Sequence, residues 1–220
     1  MNKQEIIKKI EEARSSRLIT YITGDRQPFA TRIADDIIPI FNHHLESMGP
    51  QKKISLFLYT RGGDMVAPLR LIKLIRSYCD DFEVIVPYKC HSAGTLIALG
   101  ANKIVMGRLG ELSPIDPSTM HPFNPANPQI PQRKLEISVE DINSYFLLAK
   151  EKAGVKDEQM VEIYKQLGEK IHPLSLGNAY RAIRMAKQIA EKLLRIHIKN
   201  GERIEKIVKA VTKDQLICEW

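Results

Sequence analysis

The chain of 220 residues has three cysteines and no apolar stretch approaching eighteen uninterrupted residues. Cys79, Cys90 and Cys218 are odd in number and share no recurring spacing. They therefore support neither a disulfide framework nor a zinc site, and a reducing cytoplasm is the expected compartment. Without a long apolar run, no membrane-spanning helix is expected. The opening MNKQEIIKKIEEARSSR is charged throughout, so it lacks the apolar core of an export signal. Arginine-rich runs, an aromatic RNA-binding signature, metal and nucleotide motifs and internal repeats are also missing, and no cofactor is expected. What remains is an ordinary globular composition, 44% hydrophobic and 27% charged. That excludes collagen-like, low-complexity and disulfide-scaffold classes and suits one compact domain with appended helices.

Charge is the compositional departure. Lys and Arg number 33 against 26 Asp and Glu, a net +7. Residues 181–220 carry ten of the basic residues and five of the acidic ones, so most of the excess lies there. Arg181, Arg184, Lys187, Lys192, Arg195 and Lys199 recur at helical spacing between Ile183, Ala186, Ile189, Ala190, Leu193 and Leu194. That pattern is an amphipathic helix with a solvated or assembly face, and no nucleic-acid partner is expected.

Along the chain, residues 1–17 read as an N-terminal helix, 18–200 as an α/β domain and 201–220 as a helical tail. Strands are expected over 18–23, 54–59, 81–87 and 103–106. Helices are expected over about 29–47, 66–78 and 92–101. Apolar strands separated by helices predict parallel pairing with helical cover. Six of the twelve prolines fall within 114–131, so that stretch is expected to be neither helix nor central strand but an ordered loop or flap. Ser138 with Glu140 and Asp141 predicts a helix start. Further helices are expected over 157–168, 175–198 and 201–211.

Two small-residue turns follow apolar strands and precede helices. In Arg61-Gly62-Gly63-Asp64, adjacent glycines let the main chain approach a ligand and leave amides to point at an oxygen. An ordinary tight turn would use the same residues. In Cys90-His91-Ser92-Ala93-Gly94-Thr95, a serine at a strand-to-helix turn sits beside the Ala93 amide and the positive end of a helix. A plain N-cap would also place serine there. If the strands are neighbours, both turns meet at one sheet edge, where one supplies an oxyanion hole and the other a nucleophile.

These turns, with Leu58-Tyr59-Thr60, the run Leu96-Ile97-Ala98-Leu99-Gly100-Ala101, Ile104-Val105-Met106-Gly107 and Leu112-Ser113-Pro114-Ile115-Asp116-Pro117, resemble the serine dehydrogenase proteinase family. That family belongs to the Clp-protease/crotonase superfamily, near the signal-peptide-peptidase A type peptidases. The resemblance runs from about residue 15 to 197. It implies a Clp-protease-like βαβ spiral, a homo-oligomer and serine peptidase chemistry. Ser92 matches the nucleophile, and Gly62, Gly63 and Ala93 match the stretches whose amides form the oxyanion hole. The histidine that precedes a proline in Clp proteases is replaced here by Asp116 before Pro117.

Serine needs a neighbour to take its proton. His172, oriented by Asp116, would complete a triad, which depends on geometry rather than chain order. Lys134 is the alternative base, at a position like that of the lysine in related Ser–Lys peptidases. His91 adjoins Ser92, but consecutive side chains diverge. His43, His44, His121 and His197 read as surface or capping residues, and Asp116 also suits a simple turn. The expected function is hydrolysis of peptides or proteins through an acyl-enzyme on Ser92. The alternative is a non-catalytic oligomeric scaffold whose cleft binds peptide. Crotonase-like thioester chemistry is a third reading, without a recognisable adenine-binding loop to support it.

Overall fold

β-Branched and leucine-rich segments dominate the first half of the chain, and a computed structural model, which describes residues 2–212, sets them side by side. The described residues fall into two compact units, one of 2–115 with 188–212 and one of 116–187. In the first unit helices and strands alternate: α1 (Lys3–Arg14), β1 (Arg17–Ile22), α2 (Ile37–Met48), β2 (Gln51–Tyr59), α3 (Ala67–Arg76) and β3 (Cys79–Val86). Then come β4 (Lys89–Cys90), α4 (Ala93–Leu99), β5 (Lys103–Met106) and β6 (Glu111–Leu112). Strands β1-β2-β3-β5 form one sheet in that order, with every pair parallel. This is the arrangement expected of apolar strands joined by helices.

Register explains the core. Ile54 lies beside Phe82 and Leu56 beside Val84, and these four, with Leu58 and Val86, are wholly buried on one face. Leu71, Ile72 and Ile75 of α3 and Leu96 and Ile97 of α4 are buried with them. α4 and α3 approach closely where a Cβ on Gly100 would lie 2.8 Å from Ile72. Each such aliphatic side chain contributes roughly 1.5–3 kcal/mol of hydrophobic stabilisation.

The opposite face carries Ser55, Phe57, Glu83, Ile85 and Val105, because side chains alternate along a strand. There α1 starts with a capping box between Asn2 and Glu5 and ends at Ser15 with φ 48°. Its Ile6, Ile10 and Ala13 line an apolar groove with Phe57, Ile85 and Val105. Beside the groove, the fully buried carboxylate of Glu83 accepts hydrogen bonds from Arg14, from Ser55 Oγ at 2.9 Å and from Lys53 Nζ at 3.2 Å. A buried carboxylate is costly unless paired in this way. The Arg14 hydrogen bonds, helped by Ser55 and Lys53, hold it down to about 2.

Several elements differ from expectation. The helix expected from about residue 29 begins at Ile37. Ile33 instead donates its N–H to Gly62 C=O at 2.9 Å and accepts the Asp64 N–H at 2.7 Å, so this backbone pairs with the glycine turn rather than with a helical turn. β4 and β6 pair in parallel, and two-residue strands are too short for periodicity to reveal.

In the second unit, the proline-rich stretch is an ordered arm that folds back on itself. β7 (Ser118–Thr119) pairs antiparallel with β8 (Ile137–Ser138), and Ala126 bridges Lys134. Buried Asn124 donates to the carbonyls of Thr119 and Leu135 at 2.8 and 2.9 Å, which fixes the bend. Helices α5 (Val139–Leu147) and α6 (Met160–Lys170) follow. Ser138 caps α5 as its sequence predicts, accepting the amides of Glu140 and Asp141. A π-helical turn over Leu148–Lys152 ends at Gly154, which has φ 67°. α7 (Pro173–Leu194) begins in this unit and ends in the first, where α8 (Gly201–Val211) lies. Cys218 is outside the described residues.

Replacing Glu83 by glutamine is expected to lower the unfolding free energy at neutral pH by roughly 3 kcal/mol, the scale of breaking a buried pair. Folding lowers this carboxyl from 4.5 to about 2. Its contribution is therefore complete above 4.5 and is lost as the pH falls toward 2. Urea titrations at pH 7 and pH 3 check both statements: the wild-type advantage over Glu83→Gln should be smaller at pH 3.

Candidate active site

β2 continues into Thr60, which bridges Cys90: Thr60 N–H donates to Lys89 C=O at 2.9 Å, and His91 N–H donates to Thr60 C=O at 3.1 Å. The glycine turn and the serine turn therefore leave neighbouring parallel segments at the same end. Gly62 has φ +101°, a conformation closed to most side chains. A Cβ on Gly62 would lie 2.9 Å from both His91 O and Ser92 Cβ. A Cβ on Gly63 would lie 2.1 Å from Ile33 O, and one on Gly94 would lie 2.5 Å from Thr60 Cγ2. Three glycines thus permit a backbone contact that no larger residue allows.

Ser92 stands at φ 50°, ψ −108° immediately before α4. Such a conformation costs a non-glycine residue about 1–3 kcal/mol and persists only where the surroundings over-determine it. An N-cap serine is ordinarily extended, with its hydroxyl on a following amide. Ser92 is not extended, and its hydroxyl makes no capping hydrogen bond. Its main chain is held instead, the Ser92 N–H donating to Ser113 Oγ at 2.8 Å. A strand-to-helix turn of this strained kind lifts a serine hydroxyl out of the backbone.

The amides around it divide. Gly62 N–H is engaged by Thr60 Oγ1 at 3.0 Å. Gly62 C=O and Asp64 N–H both face Ile33, so the alternation of an extended segment turns the Gly63 N–H the other way. Ala93 is the first residue of α4, whose leading amides lack intrahelical partners. Among the described residues, no hydrogen bond from the Gly63 or Ala93 amide is found.

Flanking groups take other parts. His91 Nε2 lies 3.0 Å from Glu111 Oε1. Cys90 and Cys79 are buried free thiols. Burial pushes Cys90 strongly upward and Cys79 up to about 11, so both stay protonated and unreactive at neutral pH. No cluster of His, Cys, Asp and Glu suited to a metal occurs among the described residues.

Asp116, Lys134 and His172 belong to the second unit. The exposed Asp116 carboxylate accepts the Ser138 hydroxyl at 2.9 Å and the Glu140 N–H at 3.3 Å, joining the N-terminus of α5. His172 is exposed, and its ring stacks on Phe123 with centroids 4.4 Å apart. Its Nδ1 accepts the Leu174 N–H at 3.2 Å, which places the proton of the neutral ring on Nε2. Lys134 is exposed on the arm. His43 and His44 are exposed, His121 Nδ1 lies 3.5 Å from Ser175 Oγ, and His197 Nε2 meets Leu99 C=O at 2.8 Å, capping the end of α4.

Gly62, Gly63, Ser92 and Ala93 therefore come together in one unit. Sequence reading missed Thr60 and Ser113. Both stand in stretches that carry the family resemblance but had no role of their own, Thr60 directly before the glycine turn and Ser113 just after the two-residue strand β6.

Among curated proteins, the chain is 41% identical over 66 residues to an uncharacterized protein of Methanocaldococcus jannaschii, a match covering 30% of this chain and 23% of that protein. A second uncharacterized protein of the same organism is 27% identical over 128 residues, covering 53% of this chain and 42% of its own length. The chain thus spans less than half the length of either relative. Residues 1–197 match a family described as ClpP-like SDH-type serine proteinases, and the chain, with its parallel α/β sheet and strained serine turn, belongs to that family.

Proposed function

We propose that this chain is a serine peptidase that hydrolyses peptide bonds through an acyl-enzyme on Ser92. The observation that carries the reading is Ser92 itself, at φ 50° with a hydroxyl not used for capping, beside the Gly63 and Ala93 amides. Ser92 Oγ attacks the substrate carbonyl and gives its proton to a base. The resulting oxyanion accepts hydrogen bonds from the two amides. Collapse expels the amine, which takes the proton from the base, and water then attacks the acyl-enzyme by the same route in reverse. Gly62, its own N–H bonded to Thr60, keeps the two turns in contact.

In this reading the base is His172, oriented by Asp116, with Lys134 as the alternative. To accept the Ser92 proton at Nε2, His172 must carry its resting proton on Nδ1 and so release the Leu174 amide. The reading also includes a βαβ spiral, a homo-oligomer, a cytoplasmic location and peptide or protein substrates. A second reading, an inactive oligomeric scaffold that binds peptide, draws support from Asp116 and His172, which are both engaged in local backbone capping.

A fluorophosphonate probe is expected to label wild-type protein at Ser92 and to leave Ser92→Ala unlabelled. Equal labelling of both would overturn the peptidase reading, and an unlabelled wild type would favour the scaffold. His172→Ala should reduce peptide hydrolysis by about 10³-fold or more, against less than about threefold for Lys134→Ala; the reverse pattern in steady-state assays moves the base to Lys134. Gly63→Ala keeps its N–H but should swing it away from the oxyanion, and so lower kcat by about 10²–10³-fold, the scale of losing one oxyanion donor. Its Cβ has no room beside Ile33, so the melting temperature should fall as well.

A further inference from the structure

Ser113 grips the serine turn from both sides. Its hydroxyl donates to Pro114 C=O at 2.9 Å, which commits its only proton and leaves its lone pairs to the Ser92 N–H at 2.8 Å. Its carbonyl accepts the hydroxyl of Thr95, the third residue of α4, at 2.8 Å. Thr95 is completely buried, and its hydroxyl also lies 3.1 Å from Cys90 C=O. One residue thus bonds the amide that enters the strained turn and the side chain that leaves it. β6 fixes Ser113 in place, because Leu112 pairs with Cys90 in parallel register.

We propose that Ser113 is the positioning residue of the Ser92 nucleophile, an inference that rests on the peptidase reading above. Ser92 occupies a backbone conformation that relaxes unless held. Gly62 and Gly63 allow that conformation sterically without directing it. The Ser113 hydroxyl directs it, because a donor–acceptor distance of 2.8 Å fixes where the Ser92 N–H points and hence where Oγ and the Ala93 amide stand relative to each other. Ser113 touches no reacting atom. Its removal should therefore slow the chemical step and leave substrate binding nearly unchanged, because small displacements of a nucleophile weigh on the transition state.

The test compares wild type, Ser113→Ala and Ser113→Thr by fluorophosphonate labelling rate, by kcat and KM on a peptide substrate, and by hydrogen exchange of the Ser92 amide. Ser113→Ala is expected to slow labelling and kcat by about 10–100-fold with KM within about threefold, and to speed Ser92 amide exchange by about tenfold or more. Ser113→Thr, which keeps the hydroxyl, should return within about fivefold of wild type. Wild-type labelling and kcat in Ser113→Ala would overturn the inference and leave the peptidase reading intact. So would a slowed reaction with unchanged Ser92 exchange. Should wild type itself fail to label at Ser92, the peptidase reading falls and this inference with it, whatever the exchange rates. If Ser113→Ala does not fold, Ser113→Cys replaces it, since a thiol of similar size is a weak acceptor; a wild-type labelling rate in that variant overturns the inference.

Discussion

The site depends on one contact, the backbone of the glycine turn laid against the serine turn. It is made by the parallel bridge between Thr60 and Cys90, two hydrogen bonds of 2.9 and 3.1 Å beyond the regular end of the sheet. That bridge brings the two chains close: a Cβ on Gly94 would stand 2.5 Å from Thr60 Cγ2, and one on Gly62 would stand 2.9 Å from Ser92 Cβ. A side chain of any size at Gly62 would push the glycine turn away from His91, Ser92 and Ala93. The geometry of this turn pair is a matter of steric permission first and hydrogen-bond direction second.

Thr60 shows how one buried side chain serves both requirements. Its Oγ1 accepts the Gly62 N–H at 3.0 Å and lies 3.1 Å from the Thr23 hydroxyl, with both threonines buried. Satisfying the Gly62 amide internally removes one orphan donor from a water-poor region, where an unpaired amide is costly. It also separates the two glycines by role. Gly62 serves shape, and Gly63 keeps a donor free. Adjacent glycines in sequence look interchangeable, and only the orientation of successive peptide planes distinguishes them.

Much of the sheet was legible because its signal is strong: Ile54, Leu56 and Leu58 and then Phe82, Val84 and Val86 are apolar residues at strand spacing, and parallel pairing follows when helices separate such strands. The start of α2 was not legible. Residues 29–36 have apolar members at roughly helical spacing, yet Ile33 reaches its low energy by bonding across to Gly62 and Asp64, a non-local preference that overrides local pattern. The proline-rich arm was legible only by exclusion. Prolines forbid helix, but the antiparallel return that Asn124 secures depends on a buried amide whose partners lie on both sides of the bend. At the site, the serine and glycine turns were legible as residue types, and only Ser92's φ and its uncapped hydroxyl show that it is not a plain N-cap. Asp116 and His172 were offered by sequence as a pair; in the structure Asp116 accepts the Ser138 hydroxyl and the Glu140 amide, and His172 accepts the Leu174 amide, local bonds that no sequence pattern announced.

The buried Glu83 network bears on the same geometry from the far end of the strands. Glu83 on β3 pairs in register with Ser55 on β2 and bonds its hydroxyl, while Lys53 and Arg14 close around the same carboxylate. A slip of one residue between β2 and β3 would turn Glu83 to the apolar face beside Leu56 and strand its charge there. The penalty for that slip is on the order of several kcal/mol, the cost of an uncompensated buried charge. Register fixed at Glu83 carries along β2 to Thr60, because a strand is inextensible over so few residues. The contact between Gly62 and Ser92 therefore inherits its alignment from a charged cluster that lies outside both turns.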